Sequence, residues 1–381
     1  MKILVLGAGR MGLGAAYDLA HNSPDVQAVT VADIDAERAR SVTAAVGSDK
    51  LAPAALDVND QAQTVALMRG HDAVVSCVTY FHNLQLAHAA IEARTNFCDL
   101  GGNNAVVAAE LALDAEARAA GINIIPDCGL APGMVSVLAA HGAARFDELE
   151  AIHIRVGGLP QQPRPPLNYH IVFSVEGLIN EYVERARVVR GGQIVEVESM
   201  TEIEALSFAP PFERMEAFQT SGGTSTLPDT FHGRLQELDY KTIRYPGHCE
   251  QFKLLIDLGL AASEEIDAGG TRVRPRRLLG ELLTRHLPAD EPDVVLIRLA
   301  FRGRKDGRDM RLRYDIIDRF DERTGLSAMM RTTAFPASVI AQMMARGETT
   351  DRGARPQELV IPPAAFVAAL AARDIRISEH E

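Results

Sequence analysis

The chain has 381 residues, 47% of them hydrophobic and 24% charged, a balance that fits an ordinary globular protein with enough chain for two cores. Its formal charge of −12 argues against a nucleic-acid partner, which needs a clustered basic footprint. No apolar run reaches bilayer length, so no membrane partner is expected. Four cysteines without a C-x-x-C pair fit reduced thiols in a cytoplasmic protein. The apolar start at 2–9 is too short for a signal peptide.

The first 130 residues alternate regularly. Short apolar runs at 2–6, 28–32, 51–56, 73–78, 96–99 and 122–126 predict strands. Between most of them, 13–20, 36–45, 84–93 and 106–119 predict helices. Such alternation predicts an α/β fold with a parallel sheet covered on both faces. Directly after the first strand stands Gly7-Ala8-Gly9-Arg10-Met11-Gly12. Gly7 suits a tight turn, Gly9 the approach of a pyrophosphate, and Gly12 close helix–strand packing, while Arg10 and Met11 lie in the helix N-terminus that would face the phosphates. The second strand ends at Asp33, where a carboxylate would accept from ribose hydroxyls and repel a 2′-phosphate. These features predict an N-terminal Rossmann dinucleotide-binding domain that takes NAD. Asp57, Cys77, Val78 and Thr79 follow or end later strands and would lie along the cofactor by the same rule, although Asp57 fits a solvated loop equally well.

After residue 125 the texture changes. Pro132 is placed to start a helix over 134–144. Alternating strands follow at 150–156, 294–301 and 310–318, the last two flanking a Lys305-Asp306-Gly307 hairpin. The basic run Arg302, Arg304, Lys305, Arg308, Arg311 and Arg313 is interleaved with Asp306 and Asp309 and reads as a solvated hairpin. The segment 160–166 is proline-rich and reads as an extended loop. This middle region predicts a second α+β domain with a mostly antiparallel sheet. A helix over 334–346 and a short one over 364–372 close the chain. The domains expected are thus 1–130, 131–333 and 334–381, the last packing back on the first. There is no H-E-x-x-H, and His248-Cys249-Glu250 lacks zinc-ligand spacing, so no metal is expected.

Several longer stretches occur in order: Thr79 to Asn83, Cys98 to Gly102, Pro126 to Gly133, Thr220 to Leu227 and Lys241 to His248. With the glycine turn, they resemble the saccharopine dehydrogenase-like family, and within it are most similar to the lysine 6-dehydrogenase branch. That resemblance implies NAD-dependent oxidation of the lysine side-chain amine. The products would be ammonia and a semialdehyde that cyclises onto the α-amino group. It also implies an amino-acid substrate and a homodimer or larger homo-oligomer.

The chemistry so implied needs a base, because an ammonium with pKa about 10.4 cannot release a hydride. Asp99 and Asp127 end the fifth and sixth predicted strands and suit holding or deprotonating the amine, or serve as turn carboxylates. Tyr80 suits shaping the nicotinamide pocket or packing. Arg244 suits an α-carboxylate through its planar fork, with a structural ion pair as the rival reading. Lys241 and His248 flank it as base or proton-carrier candidates. Thr220, Ser221 and Thr224 offer hydroxyls to a substrate loop or close a simple turn. Two alternatives stay open: a step on a secondary amine such as saccharopine or carboxynorspermidine, and an NAD-binding regulator without turnover.

Overall fold

The strand β1 (Lys2–Leu6) is fully buried from Ile3 to Leu6, as a parallel strand covered on both faces must be. In the computed structural model, which describes residues 1–289 and 291–381, β1 is an interior strand of a seven-stranded sheet. Its partners are β2 (Ala28–Asp33), β3 (Leu51–Ala55), β4 (Ala73–Ser76), β5 (Asn96–Asp99) and β6 (Asn123–Ile125). The order β6-β5-β4-β1-β2-β3 is the Rossmann order, and every pair is parallel. The chain reverses direction of growth between β1 and β4, where such sheets open a crevice. Pro53 stands in β3, the edge strand, where a missing N–H breaks no ladder. Beyond β6 the sheet gains Gly353–Ala354.

Helices α1 (Arg10–His21), α2 (Ala36–Val46), α3 (Gln61–Met68) and α4 (Asn83–Ala93) follow the strands. The helix expected over 106–119 is two: α5 (Asn104–Leu111) and α6 (Asp114–Ala120). The expected start of the next helix is also corrected. Pro132 has an extended backbone, ψ 163°, and α7 runs over Val135–Ala143.

The chain divides into two units. Unit 1 comprises Met1–Arg145, Ser225–Thr230 and Met330–Ile377, and unit 2 holds Phe146–Thr224, Phe231–Met329 and Ser378–Glu381. The expected boundary at 130 therefore moves to Arg145, because α7 packs on the late helices Gln357–Val360 and Pro363–Ala371. The last four residues leave the C-terminal segment for unit 2, where Ser378–His380 pairs with the basic hairpin. Within unit 1, Arg373 donates through Nε to the buried Asp18 at 2.6 Å and through a terminal nitrogen to Ser23 at 3.1 Å.

Unit 2 is built on a mixed sheet. Its strands are β7 (Glu148–Pro160), β8 (Ala186–Arg190), β9 (Gln193–Val197), β10 (Glu204–Leu206), β11 (Met215–Gln219), β12 (Glu237–Arg244), β13 (Asp293–Lys305) and β14 (Arg308–Arg319). The main order is β10-β11-β12-β7-β13-β14. Only β12 and β7 run parallel; the other named pairings are antiparallel. Strand β7 extends through Pro160, so the proline-rich segment begins within the sheet. Helices α8 (Val175–Val183), α9 (His248–Asp257) and α10 (Pro275–His286) complete the unit. A core of Leu159, Phe212, Met215, Ala217, Ile243 and Leu296 forms on one face of the sheet. In the basic hairpin, Arg302 and Lys305 pair with Glu150 and Asp147.

Removing one partner of a buried ion pair strands the other charge. Arg373→Met is expected to destabilise the protein by about 3–5 kcal/mol, read as a lowered denaturant midpoint with an unchanged slope.

Candidate active site

The turn between β1 and α1 is set by close packing. Gly7 has φ +97°, and a Cβ there would meet the Cys77 carbonyl oxygen at 2.9 Å. A Cβ on Gly12 would lie 1.8 Å from the carbonyl oxygen of Gly7, so no side chain fits. Gly9 caps α1 without a side-chain hydrogen bond, and the first turn carries no acidic residue. A Cβ on Gly9 would have open space around it. Arg10 and Met11 begin that turn. Helix α2 is different: Asp35 accepts from the N–H groups of Glu37 and Arg38, and Glu37 adds a charge to the first turn. The positive end of α2 is satisfied internally, whereas the α1 terminus suits a phosphate group.

Asp33 ends β2 with one oxygen accepting from Ala8 N–H at 2.7 Å and the other from Asp35 N–H at 2.9 Å. Each carboxylate oxygen keeps a lone pair for a ribose hydroxyl. The arginine that follows, Arg38, faces Asp35 at 3.6 Å. Asp57 is exposed, and its carboxylate closes a turn on Asn59, which is the loop role the sequence left open. Cys77 and Val78 are half-buried and Thr79 exposed, after the carboxyl end of β4. The Tyr80 ring packs on Phe81, centroids 4.1 Å apart, and lies against Gly102.

The carboxyl ends of β5 and β6 carry a buried acidic group. Asp99 is 0% and Asp127 1% exposed. Asp99 Oδ1 accepts from the N–H of Gly101 at 2.6 Å and of Asp127 at 3.3 Å. Asp127 holds a left-handed backbone, φ +59°, which aspartate tolerates better than most residues. Its carboxyl lies where a Cβ on Gly101 would stand, 1.8 Å from Asp127 Oδ1, so residue 101 admits only glycine. Ser225 donates its hydroxyl to Asp127 Oδ2. Burial, and then the charge of Asp99, push the Asp127 carboxyl up to about 8. Two further acids stand near: Glu110 of α5, wholly buried, and Glu358, which accepts from Thr226 and Thr230 at 2.7 Å each. The sequence pattern gave no sign of Glu110 or Glu358, since neither ends a strand. Cys128 is buried beside the carbonyl oxygen of Ile125, and burial holds its thiol well above the ordinary value.

In unit 2 the period of β12 separates two groups of residues. On one face, Asp239 and Lys241 join a polar network. Lys241 Nζ donates to Glu204 at 3.0 Å and to the Glu202 carbonyl oxygen at 2.7 Å. Arg155 bonds Asp239 and Glu204, and His153 lies 2.7 Å from Asp239. Against the effect of burial, hydrogen bonds from His153 and Arg155 hold the Asp239 carboxyl well below its usual range. Lys241 is thus a structural cation on the face opposite Arg244, which corrects its placement beside that arginine.

On the other face lie Tyr240, Thr242 and Arg244. Arg244 is 3% exposed. Its Nε donates to the Tyr182 hydroxyl at 2.9 Å, and a terminal nitrogen donates to the Ile243 carbonyl oxygen at 2.9 Å. The Tyr169 ring lies under the guanidinium at 4.7 Å. Among the described residues no carboxylate comes within ion-pair distance of it. The Tyr182 hydroxyl, holding the Arg244 donor, gives its own proton to His248 Nε2 at 3.0 Å, and His248 Nδ1 donates to the Leu167 carbonyl oxygen at 2.9 Å. Burial and the Arg244 charge push His248 down to about 3. It is a neutral link with both nitrogens engaged, which corrects its reading as a base. Glu181, half-buried on α8, is pushed by burial up to about 7 against the pull of Arg244.

The hydroxyls of the expected substrate loop are engaged internally. Thr220 bonds Thr242 at 2.7 Å, Thr224 donates to the Arg187 carbonyl oxygen at 3.0 Å, and Ser221 lies 3.4 Å from the Asn180 carbonyl oxygen. They build a packed turn, while their neighbour Ser225 reaches Asp127 in unit 1. Tyr169, Glu181 and Tyr182 escaped the sequence reading because no motif surrounds them. Among the described residues no cluster of His, Cys, Asp or Glu is arranged for a metal, and no helix is long and apolar enough to cross a membrane.

Comparison with known proteins agrees with this architecture. The profile "Saccharopine dehydrogenase NADP binding domain" matches residues 3–125, and "Saccharopine dehydrogenase C-terminal domain" matches 129–375. The chain belongs to the saccharopine dehydrogenase family of oxidoreductases. It is 28% identical over 251 residues to a saccharopine dehydrogenase (NADP+, L-glutamate-forming) of Pyricularia oryzae, covering 62% of this chain and 53% of that protein. It is 22% identical over 371 residues to the carboxyaminopropylagmatine dehydrogenase of Synechocystis, covering 92% and 91%. The chain thus spans about half the length of the first relative and most of the second. The fold matches the apo saccharopine dehydrogenase (L-Glu forming) of Saccharomyces cerevisiae with a TM-score of 0.81 at 20% identity, over 100% of this chain and 99% of that one.

The acidic group links folding to pH. Unfolded, Asp127 releases its proton near pH 4; folded, it keeps it to about 8. Its contribution is therefore complete below about pH 4 and drains away as pH rises through the folded value. Asp127→Asn is expected to flatten the fall of the thermal midpoint between about pH 5 and pH 8, followed by calorimetry.

Proposed function

We propose that the protein is an NAD-dependent dehydrogenase that oxidises the side-chain amine of lysine. Lysine, NAD+ and water would give the 6-semialdehyde, ammonia, NADH and a proton, and the aldehyde would cyclise onto the α-amino group. The observation that carries this reading is the buried Asp99–Asp127 pair at the carboxyl ends of β5 and β6, an acidic environment suited to an amine. The similarity of the 98–102, 126–133 and 241–248 stretches to the lysine-oxidising branch supports the substrate.

Bound at the glycine turn, the dinucleotide would supply the hydride acceptor. The chain's own residues manage protons and charge. Asp127, held by the Ser225 hydroxyl and ionised as pH rises through about 8, then takes a proton from the substrate ammonium, leaving a lone pair on nitrogen to drive hydride loss. The later attack of water on the imine needs a base again, and Asp127 suits it once it has released the first proton to solvent. Arg244 is the group of unit 2 whose chemistry suits a carboxylate, since its fork has no carboxylate partner of its own. Asp33 supports NAD over NADP because a 2′-phosphate would meet a carboxylate already tied to Ala8 and Asp35.

A second reading, oxidation of a secondary amine, draws on the names of the relatives, saccharopine dehydrogenase and carboxyaminopropylagmatine dehydrogenase. A panel of lysine, saccharopine, carboxynorspermidine and cadaverine with NAD or NADP separates the readings. NADH and ammonia from lysine are expected, with cadaverine rejected for want of a carboxylate; Arg244→Met should erase most of that preference. Turnover of saccharopine without ammonia would establish the second reading, and binding without any turnover would mark a regulator.

Calorimetry on Asp33→Ala tests the cofactor. Losing charge-assisted ribose bonds worth about 1.5–3 kcal/mol should weaken NAD about 10- to 100-fold, with NADP little affected. Equal affinity of the wild type for both cofactors would refute the NAD assignment.

A further inference from the structure

Glu110 is 0% exposed on α5, yet no N–H or hydroxyl group reaches either of its carboxyl oxygens. The same holds for Asp99 Oδ2. The Glu110 and Asp99 carboxyls are both buried and act on each other, and each keeps an oxygen that no N–H or hydroxyl reaches. A hydrogen bond between two carboxyl groups requires a proton on one of them. Asp99 has the backbone N–H groups of Gly101 and Asp127 as donors to its other oxygen, and these favour its ionised form. Glu110 has none, so the proton belongs to Glu110.

The surroundings point the same way. Asp127 faces both members of the pair, Glu358 acts on Asp127, and the thiols of Cys77 and Cys128 lie within the field of Asp99. Among the described residues no arginine, lysine or histidine stands among the main influences on Asp99, Glu110 or Asp127, so burial weighs against holding all these carboxyls ionised.

We propose that Glu110 is a positioning residue for the reaction: as the neutral member of a carboxyl–carboxylate pair it donates to Asp99 and holds that carboxylate ionised beside Asp127. The Asp99 charge in turn raises the proton affinity of Asp127, which strengthens its carboxylate as an acceptor for an ammonium proton. Burial pushes Glu110 strongly up and Asp99 less so, in keeping with the proton residing on Glu110. The kinetic part of this inference rests on the amine-dehydrogenase reading; the protonation state does not.

Infrared spectroscopy tests the protonation state without substrate. The wild-type minus Glu110→Gln difference spectrum at neutral pH should show the C=O band of a protonated carboxylic acid. Glutamine matches the neutral acid in shape and hydrogen-bond donation, so this variant is expected to fold. Absence of the band overturns the proposal.

The pH dependence of kcat/KM tests the consequence. In Glu110→Leu, Asp99 loses its donor and takes a proton, so the acidic limb should move down by about one unit. In Glu110→Gln the amide still donates to Asp99, and the limb should stay with the wild type. A limb unmoved in the leucine variant, or moved equally in both, overturns the role, because a packing defect alone would lower stability and leave the limb in place. Should the leucine variant fail to fold, the glutamine infrared band and limb decide.

Discussion

The contact between Gly12 and the carbonyl of Gly7 governs how the first unit can work. With 1.8 Å between that oxygen and any Cβ on residue 12, α1 can lie close on β1 only because both positions are glycine. That approach brings the N-terminus of α1 to the carboxyl end of β1, beside Asp33 of β2 and the Cys77–Val78 end of β4. Its partial positive charge is left without an internal cap, unlike that of α2, where Asp35 supplies one. The same sheet edge presents Asp99 and Asp127 from β5 and β6. A parallel sheet gathers the ends of its strands on one edge, so residues more than a hundred positions apart share it.

Burial without a counter-charge gives the acidic group its chemistry. A carboxylate exposed at a strand end would titrate near 4 and hold no proton at neutral pH. Here desolvation raises Asp127, and its neighbour's charge raises it further. Stability is coupled to pH at this point, because a proton on Asp127 eases its burial. Gly101 and Ser225 serve the arrangement from either side, one by lacking a side chain and the other by donating to the carboxyl.

Unit 2 handles its buried charges in two ways on opposite faces of β12. Asp239 and Lys241 are neutralised in a dense network with Arg155 and Glu204. Arg244 is instead set among aromatic rings, its one side-chain acceptor the Tyr182 hydroxyl, with a chain of hydrogen bonds running on through His248 to the Leu167 carbonyl oxygen. The first arrangement is complete in itself. The second holds a cation in place with no carboxylate at ion-pair distance among the described residues, Glu181 acting on it from farther off.

Local pattern by itself determined the α/β class, the central strands, the glycine turn with Asp33, and the mostly antiparallel second sheet, because periodicity and turn chemistry act over a few residues. It also brought out Asp99 and Asp127, each standing at the end of a predicted strand, while Arg244 came from the family-like 241–248 stretch and the chemistry of its fork. Tertiary structure alone decided which neighbours of those residues matter. Lys241 and His248 look equivalent to Arg244 in the sequence, but strand alternation turns Lys241 to the other face and burial makes His248 a neutral link. Glu110, Ser225 and Glu358 come from separate segments and meet Asp99 and Asp127 only in the folded unit. Their protonation follows from desolvation and mutual repulsion, quantities that depend on distance in space and leave no trace in the order of residues along the chain.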